Sequence, residues 1–270
     1  MSLEDALRAI RQLDYGRIEK NLVRQLRAYA ESTGRARGVV GLSGGLDSSV
    51  TACLVARALG ADNTIGMLLP GRATRAVDER HARQVARMLG IKLMRASVAR
   101  AVDVLKAQLA DNALRPMTRI DEGNLTARAR MACLYNVAAR AGGLVVGTGD
   151  RSEILLGYFT KYGDGGVDVL PLGGLFKSQV RALAEHFGLP RAIVQKPPSP
   201  NFWLGQTAEE ELGASYEEID AILWALFEKK WGEKKTARAL GVKEWLVRRV
   251  IGLYRESGHK RTMPPILKPF

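Results

Sequence analysis

The sequence predicts an α/β fold in which a Rossmann-like parallel sheet carries helices on both faces. The first observation is a set of short apolar runs typical of strands: 37–42, 63–69, 91–96 and 143–148. The second is a set of longer helix-like patterns that alternate with these runs: 47–59, 76–89, 98–110 and 122–141. Alternating strands and helices form parallel sheets that bind ligands beyond the carboxyl ends of their strands.

Helical segments flank the predicted sheet. Residues 2–32 are predicted to be helical, and they open with Ser2 and Asp5 in a capping box. The pattern from Ser215 onward is helical, with a second capping box between Ser215 and Glu218. We therefore expect one domain over residues 1–270, made of a helical arm (1–35), an α/β nucleotide-binding core (36–190) and a basic helical region (191–270).

The composition is that of a globular protein without a membrane span. The chain has 270 residues, of which 46% are hydrophobic and 26% charged. No run of about 18 uncharged apolar residues occurs, and the first residues, MSLEDALRAIRQ, do not resemble a signal peptide. Cys53 and Cys133 lack paired spacing, so we expect buried thiols in a reducing, cytoplasmic setting.

The positive charge is concentrated at the C-terminal end. The whole chain has a net charge of +13, and residues 229–270, with 12 Lys or Arg and 3 Glu, contribute +9 of it. The preceding 228 residues therefore carry only +4. A basic tail on a nearly neutral body predicts a polyanionic partner, and nucleotide phosphates satisfy this prediction as well as nucleic acid does.

The strongest functional signal is the segment GLSGGLDSS at 41–49, between a predicted strand and a predicted helix. Ser43, Gly44 and Gly45 leave backbone N–H groups uncovered, so an anion can approach closely. Asp47 would repel a bare phosphate, which makes sense if Mg²⁺ lies between them. The Walker lysine is absent, which favours binding of a pyrophosphate over transfer of a γ-phosphoryl group. The string resembles the signature of ATP pyrophosphatases, which adenylate a substrate.

Further motifs, in the same order along residues 41–262, resemble the ammonia-dependent NAD synthetase family. They are EGNLTARARM (122–131), VVGTGDRSE (145–153), GYFTKYGDG (157–165), PLGGLFK (171–177), EEELG (209–213) and HKR (259–261). The resemblance implies a ligase that forms NAD from deamido-NAD, ATP and ammonia through an acyl-adenylate and releases AMP and pyrophosphate. It also implies a homodimer with deamido-NAD near the subunit interface.

The resemblance implies roles for individual residues. It assigns ATP binding to Gly41, Leu42, Ser43, Gly44, Gly45, Leu46, Asp47, Ser48, Thr148, Lys177 and Ser199. It assigns Mg²⁺ to Asp47 and Glu153, and catalysis to Asp47 and Lys177. It assigns deamido-NAD binding to Arg128, Lys161, Asp168, His259 and Lys260.

Elementary geometry supports several of these roles. Glu153 follows a predicted strand by one or two helical turns, so its carboxylate can share a metal with Asp47. Lys177 begins a predicted helix, where a positive charge is unfavourable unless an anion binds there. Arg128 and Arg130 lie about 200° apart around a helix, so both cannot point into one pocket. The resemblance favours Arg128.

We expect free ammonia to be the nitrogen donor. Use of glutamine needs a second active site with a cysteine nucleophile and an adjacent base. Neither Cys53 nor Cys133 has a histidine nearby in sequence. A separate glutaminase subunit is left open by this reasoning.

Other functional classes share part of the pattern. A tRNA-modifying adenylase would carry the same loop, and the basic tail favours it, but paired cysteines for sulfur transfer are absent. Ala237, Gly241 and Val247, followed by Arg248 and Arg249, have helix-turn-helix spacing, which a tight helical corner also has. A non-catalytic ATP sensor is disfavoured because the predicted metal and catalytic residues are present. We therefore expect no nucleic-acid partner.

Overall fold

The computed structural model describes residues 1–110 and 114–269. Its centre is a four-stranded parallel sheet with the strand order β3-β2-β1-β4. The strands are β1 Arg37–Gly41, β2 Thr64–Leu68, β3 Lys92–Arg95 and β4 Gly143–Val146. Each lies within one of the predicted runs, and the predicted α/β class is confirmed.

Helices surround the sheet and follow it. Those of the core are α3 Leu46–Leu59, α4 Ala76–Leu89, α5 Ala99–Gln108, α6 Arg119–Ala141, α7 Arg151–Leu156, α8 Lys177–His186 and α9 Arg191–Val194. Those of the two ends are α1 Leu3–Arg11, α2 Tyr15–Ser32, α10 Ala208–Leu212, α11 Tyr216–Phe227, α12 Glu233–Leu240 and α13 Glu244–Glu256, with a 3₁₀ turn at Gly258–Lys260. Within the described ranges, none of these helices combines the length and apolar character needed to cross a bilayer.

The N-terminal arm differs from the prediction. Ser2 and Asp5 form the predicted capping box of α1, with hydrogen bonds of 2.9 and 3.1 Å. The helical character predicted for residues 2–32 is present, but the chain leaves the helical path after α1 and restarts at Asp14. The Asp14 carboxylate accepts the Arg17 backbone N–H at 2.9 Å. Such a cap satisfies a free donor at a new helix start, so the arm consists of two helices.

Consecutive residues of β1 point to opposite faces of the sheet. Val39 packs in an apolar cluster that includes Ala138 of α6. Val40 packs in a different cluster that includes Val55 of α3. A strand covered on both sides is typical of a parallel sheet between two helical layers, so the prediction of helices on both faces is confirmed.

The carboxyl ends of β1, β2 and β4 meet at one edge of the sheet. Gly41 lies beside Met67, and Val40 lies beside Val146. The pairing continues past β1, since the Leu42 backbone N–H donates to the Met67 carbonyl at 2.8 Å. The loops that follow these three strands therefore open on the same side, where parallel sheets bind ligands.

The C-terminal helices share an apolar cluster with α1, α7 and α8. Its buried side chains include Ile10 of α1, Leu156 of α7, Phe176 just before α8, Ile222 of α11 and Val247 of α13. Because one contiguous core joins these helices, α11 and α13 hold α7 and α8 in place.

The segment with helix-turn-helix spacing is a packing corner between α12 and α13. Ala237 and Val247 are buried, and Gly241 ends α12 with a φ of 68°, a conformation that favours glycine. Arg248 forms ion pairs with glutamates of these same two helices. The local spacing is therefore accounted for by the fold of the C-terminal region.

Candidate active site

A cleft of about 460 Å³ lies over the carboxyl edge of the sheet. Known small-molecule sites span roughly 300–1,000 Å³. Its walls come from the loops after β1, β2 and β4, from one face of α6 and from parts of the segments 157–167 and 198–206. Nine predicted site residues line it: Gly41, Leu42, Ser43, Asp47, Ser48, Thr148, Glu153, Ser199 and Lys260.

The loop after β1, residues 41–48, is the predicted phosphate loop, and hydrogen bonds of its own hydroxyl groups hold it closed. Ser43 Oγ and Ser48 Oγ lie 3.0 Å apart, and the Gly45 backbone N–H donates to Ser43 Oγ at 3.2 Å. Ser49 Oγ donates to the Gly45 carbonyl at 2.7 Å. Leu46 begins α3 directly after this turn, and Asp47 and Ser48 of its first turn line the cleft, so a helix start with free N–H groups lies beside it. This arrangement favours an anion.

Gly44 is required by its surroundings. Its φ is 72°, and a Cβ atom at this position would collide with the backbone carbonyl of Asp78 in α4. Lys196 Nζ donates to the Gly44 carbonyl at 2.9 Å and pairs with Asp78 Oδ1 at 2.6 Å. Arg75 also pairs with Asp78, at 3.0 Å. The loop is thus supported from behind by α4 and by the segment after α9.

Lys177, the first residue of α8, is the centre of an ionic cluster. Its Nζ lies 2.9 Å from Asp47 Oδ1, 3.0 Å from Asp150 Oδ2 and 2.8 Å from Glu153 Oε1. The side chains of Lys177 and Asp150 are 1% and 0% exposed, whereas those of Asp47 and Glu153 are 25% and 21% exposed. The last two acids therefore face the cleft, with the lysine and Asp150 behind them.

The cluster holds three acids around one base, and this changes the pKa of its members. Burial raises the pKa of Glu153 to about 7, with Lys177 opposing the shift and Asp47 adding to it. Burial likewise raises the pKa of Asp150 well above its usual value. Burial alone would lower the pKa of Lys177, but the three carboxylates raise it well above its usual value. The lysine stays charged, and the excess negative charge favours a further cation.

Hydrogen bonds to α11 fix the two helices that carry the cluster. Asp220 of α11 is fully buried and accepts hydrogen bonds from Ser152 Oγ at 2.5 Å and from the Ser178 backbone N–H at 2.7 Å. Ser152 Oγ in turn accepts the Lys177 backbone N–H at 3.1 Å. The start of α8 is therefore locked against α7, which carries Glu153.

The cleft-facing acids suit Mg²⁺. Asp47 and Glu153 supply the oxygen ligands that this ion prefers, and both lie within 2.9 Å of the same ammonium nitrogen. Within residues 1–110 and 114–269, no group of three His, Cys, Asp or Glu forms a cage for a metal. Mg²⁺ commonly keeps waters and takes phosphate oxygens as ligands, so the residues fit an ion that arrives with a nucleotide.

Ser199 differs from the other predicted ATP contacts. Its hydroxyl donates to the Gln206 carbonyl at 2.6 Å and accepts the Asn201 backbone N–H at 3.1 Å. These bonds shape the turn that closes one end of the cleft. A contact with ATP stays a prediction for Ser199 and for Thr148, which lies at the end of β4.

The basic tail is fastened to the segment after α7. Lys260 Nζ donates to the Gly157 and Phe159 carbonyls at 2.8 and 2.9 Å and lines the cleft. Lys161 Nζ donates to the His259 carbonyl at 2.7 Å. Of these three predicted deamido-NAD contacts, Lys260 lines the cleft, while Lys161 and His259 lie outside its lining.

Asp168 lies outside the cleft lining. Its Oδ1 accepts the Tyr135 hydroxyl at 2.9 Å, and its Oδ2 accepts the Val145 backbone N–H at 2.7 Å. The carboxylate thus extends the hydrogen bonding of β4. Its predicted contact with deamido-NAD is not brought to the cleft by this geometry.

The two arginines of α6 divide differently from the prediction. Arg128 is exposed and donates to the Lys161 carbonyl at 3.3 Å. Arg130 lines the cleft and donates to the Leu69 carbonyl at 3.0 Å. The argument from helix geometry that only one of the pair enters the pocket agrees with the structure, but the residue at the wall is Arg130.

Sequence reasoning also missed two further cleft residues. Tyr216 is 2% exposed, and its hydroxyl has no hydrogen-bond partner within the described residues. Asp164 lines the cleft and accepts the Thr160 backbone N–H at 2.9 Å. Asp164 could have been noticed as an acid between glycines of a conspicuous loop. Tyr216 could not, because an aromatic residue at a helix start is an ordinary core residue.

The chain is similar in sequence to known NAD synthetases over most of its length. The sequence model of the NAD synthase family matches residues 18–264. An NH(3)-dependent NAD(+) synthetase from Hyperthermus butylicus is 45% identical over 264 residues, which cover 97% of this chain and 94% of that protein.

Two solved structures share the fold over nearly the whole chain. The NMN synthetase from Francisella tularensis has a TM-score of 0.83 at 31% identity, covering 96% of this chain and 100% of that one. The NH3-dependent NAD synthetase from Campylobacter jejuni has a TM-score of 0.79 at 26% identity, covering 95% and 100%. With the family model matched over most of its length, and with this degree of identity to a family member, the chain belongs to the NAD synthase family.

Proposed function

We propose that the cleft joins ammonia to the nicotinate carboxylate of deamido-NAD with ATP as the activating substrate. The products are NAD, AMP and pyrophosphate. The observation that carries this proposal is that two acids from different segments contact the same lysine. Asp47 of the phosphate loop and Glu153 of α7 both lie within 2.9 Å of Lys177 Nζ. A phosphate loop and a pair of acids suited to Mg²⁺ can stabilise the negative charge that develops on the phosphates when a carboxylate is adenylated.

The reaction has two steps. A carboxylate oxygen of deamido-NAD attacks the α-phosphorus of ATP, the bond to the oxygen that bridges the α- and β-phosphates breaks, and pyrophosphate leaves with the electron pair. Ammonia then attacks the acyl carbon, AMP leaves with its electron pair, and the nitrogen loses a proton to solvent. Both steps place negative charge on a leaving phosphate, so stabilisation of that charge is the main task of the protein.

The residues divide this task. The N–H groups of the loop from Gly41 to Ser48 bind the ATP phosphates. Mg²⁺ held by Asp47 and Glu153 would neutralise charge on the pyrophosphate. Lys177 adds a positive charge behind the two acids. The remaining proposed contacts are Thr148 and Ser199 for ATP, and Arg128, Lys161, Asp168, His259 and Lys260 for deamido-NAD.

We propose free ammonia as the nitrogen donor, because neither cysteine is placed for glutamine hydrolysis. Cys53 is buried in α3, and burial raises its pKa to about 11. Cys133 is partly exposed, contrary to the expectation of a buried thiol, and neither residue lines the cleft. A reactive cysteine needs a lowered pKa and access to substrate. Both thiols are free, and the cytoplasmic location stays a prediction.

A second candidate substrate is nicotinate mononucleotide. One of the similar structures is named NMN synthetase, and it covers nearly all of this chain. The mononucleotide carries the same nicotinate carboxylate as deamido-NAD but lacks the adenylate half. The two candidates therefore share the chemistry and differ in how much of the cleft the substrate occupies.

One assay tests both candidates. Purified protein is supplied with ATP, Mg²⁺ and either deamido-NAD or nicotinate mononucleotide, with and without ammonium chloride, and pyrophosphate and amidated product are measured. We expect deamido-NAD to have the higher kcat/KM and amide formation to require ammonium. A higher kcat/KM for the mononucleotide would replace the proposed substrate. An absence of pyrophosphate release with both would contradict the proposed chemistry.

We further propose a homodimer, as the family resemblance implies. Apolar side chains are exposed on α5 and at the start of α6: Val104 (55%), Leu105 (42%) and Ile120 (58%). Ile120 also lines the cleft, so a partner that covers this face would reach the deamido-NAD side. Light scattering on the purified protein should give twice the mass of the chain, and a monomer at micromolar concentration would contradict the proposal.

A further inference from the structure

Arg130 carries a positive charge in the cleft wall that the fold leaves without a direct counter-ion. Its Nε donates to the Leu69 carbonyl at 3.0 Å, and within the described residues it forms no ion pair. Burial lowers the pKa of Arg130, and the field of Asp164 opposes this shift without an ion-pair contact. A desolvated charge without a partner is unfavourable, so its presence calls for a ligand.

The direction of Arg130 follows from its place on α6. The face of the helix that lines the cleft is a stripe at helical spacing: Ile120, Asn124, Ala127, Met131 and Leu134. At 100° per residue, Arg128 and Arg130 lie about 80° to either side of this stripe. Arg128 contacts the Lys161 carbonyl, outside the lining, and Arg130 contacts the Leu69 carbonyl, inside it.

Arg130 and Lys177 flank the phosphate loop from opposite sides. β1 lies between β2 and β4, and Gly41 lies beside Met67. Leu69, which Arg130 contacts, therefore lies next to the start of the loop, on the β2 side. Lys177 lies on the other side, with the acids that follow β4. A phosphate chain on the loop would therefore lie between Arg130 on one side and the Lys177 cluster on the other.

The charges of the cleft make an unpaired cation valuable. Its lining includes the carboxylates of Asp47, Glu153, Asp164 and Glu211. Both proposed substrates carry several phosphates, which these acids would repel.

We propose that Arg130 binds a phosphate group of the nucleotide ligand on the β2 side of the loop. The inference rests on the proposed function, in which both ATP and deamido-NAD supply such groups. The Nη groups of a guanidinium form a planar fork that matches phosphate oxygens, and such charge-assisted hydrogen bonds are among the strongest in proteins. The Leu69 carbonyl accepts from Nε, and within the described residues neither Nη group forms a hydrogen bond, so both remain available to an anion at the cleft wall.

The test compares Arg130→Gln with Arg140→Gln, which removes the same charge from an exposed position of the same helix. Calorimetry measures the Kd of ATP with Mg²⁺, and separately that of deamido-NAD, at several KCl concentrations. We expect Arg130→Gln to weaken at least one ligand by about tenfold to a hundredfold. The salt dependence of that Kd should also fall. The ligand whose Kd rises identifies the source of the phosphate. Arg130→Lys should lose less affinity than Arg130→Gln.

Several outcomes would overturn the proposal. One is an unchanged Kd for both ligands in Arg130→Gln, and another is an equal loss in Arg140→Gln. A third is a drop in the ligand-free thermal midpoint of Arg130→Gln large enough to account for the weaker binding.

Asp47→Asn in the same assay distinguishes this proposal from the proposed function. If Asp47→Asn weakens ATP binding and Arg130→Gln leaves both Kd values unchanged, the role of Arg130 fails and the nucleotide site stands. If neither variant changes any Kd, the nucleotide site fails as well.

Discussion

The two cations beside the phosphate loop have opposite surroundings. Lys177 is 1% exposed and lies within 3.0 Å of three carboxylates. Arg130 lines the cleft, donates to one backbone carbonyl and forms no ion pair within the described residues. The charge of Lys177 is more than balanced by the fold, whereas the charge of Arg130 is left for a ligand to balance.

The two cations represent two kinds of group: one pairs with other protein groups and holds the site together, and the other gains a partner only when substrate binds. A buried charge whose partners belong to the protein stabilises the folded state once those partners are present, and its removal leaves them exposed to one another. A buried group at the cleft without a protein partner lowers the stability of the ligand-free protein and gains a partner on binding. Stability and binding should therefore respond in different ways to substitutions on the two sides of the loop.

The largest effect on stability is expected for Lys177→Met. The change leaves Asp47, Asp150 and Glu153 facing one another, and breaking a buried ion pair from one side lowers the free energy of unfolding by about 3–5 kcal/mol. The deficit should be larger at about pH 8 than at about pH 6. The pKa values of Asp150 and Glu153 are raised in the folded protein, so these two acids bind more protons folded than unfolded, and stability falls as the pH rises.

Chemical denaturation of Lys177→Met at both pH values measures this effect. Lys20→Met, at an exposed position of α2, is the control for loss of a lysine charge. If Lys177→Met loses no more free energy of unfolding than Lys20→Met, the charge of Lys177 does not hold the ionic cluster together.

Asp47→Asn should affect activity far more than stability. The substitution removes a proposed Mg²⁺ ligand, and lost stabilisation of a few kcal/mol in the transition state lowers kcat by at least about a hundredfold. The ligand-free protein should keep its stability or gain some, because one of three acids around Lys177 becomes neutral. Turnover and thermal unfolding are compared with those of Asp62→Asn, an exposed site. Near-normal turnover would remove Asp47 from the metal site.

Tyr216→Phe should change stability and activity in opposite directions. The buried Tyr216 hydroxyl has no partner within the described residues, so its removal should raise the free energy of unfolding by about 1 kcal/mol. If a substrate supplies the partner, kcat/KM should fall by about threefold to tenfold. Tyr15→Phe, whose hydroxyl donates to the Arg11 carbonyl at 3.1 Å, is the opposite case, with slightly lower stability and unchanged activity. An unchanged kcat/KM in Tyr216→Phe would mean that no substrate supplies a partner to the Tyr216 hydroxyl.

The smallest effect on activity is expected from the cysteines, which lie away from the cleft. A Cys53→Ala, Cys133→Ala double variant should keep its ammonia-dependent rate within about twofold and lose at most about 2 kcal/mol of stability. Because burial raises the pKa of Cys53 to about 11, a thiol reagent at neutral pH should label the partly exposed Cys133 first. Glutamine-dependent NAD formation that the double variant loses would contradict ammonia as the donor.

The two halves of the cleft also differ in how well the sequence predicted them. The phosphate loop is one contiguous segment. Its turn at Gly44, where φ is 72°, could be predicted from the local glycines and serines. The substrate side is assembled from α6, the segment after α7 and the C-terminal turn. Its residues appeared as isolated charges, and the choice between Arg128 and Arg130 depended on which flank of α6 meets the end of β2.

The alternation of strands and helices, the phosphate loop and the motifs that mark the family could all be predicted from the order of the residues. These features depend on the periodicity of apolar residues and on backbone preferences of neighbouring residues. Three features became visible in the folded chain alone: Asp47, Asp150 and Glu153 share one lysine, Asp168 is bound to β4, and Arg130 lines the cleft with no counter-ion among the described residues. The physical reason is that charge balance depends on distances of about 3 Å between segments far apart in the chain, where burial makes each interaction strong.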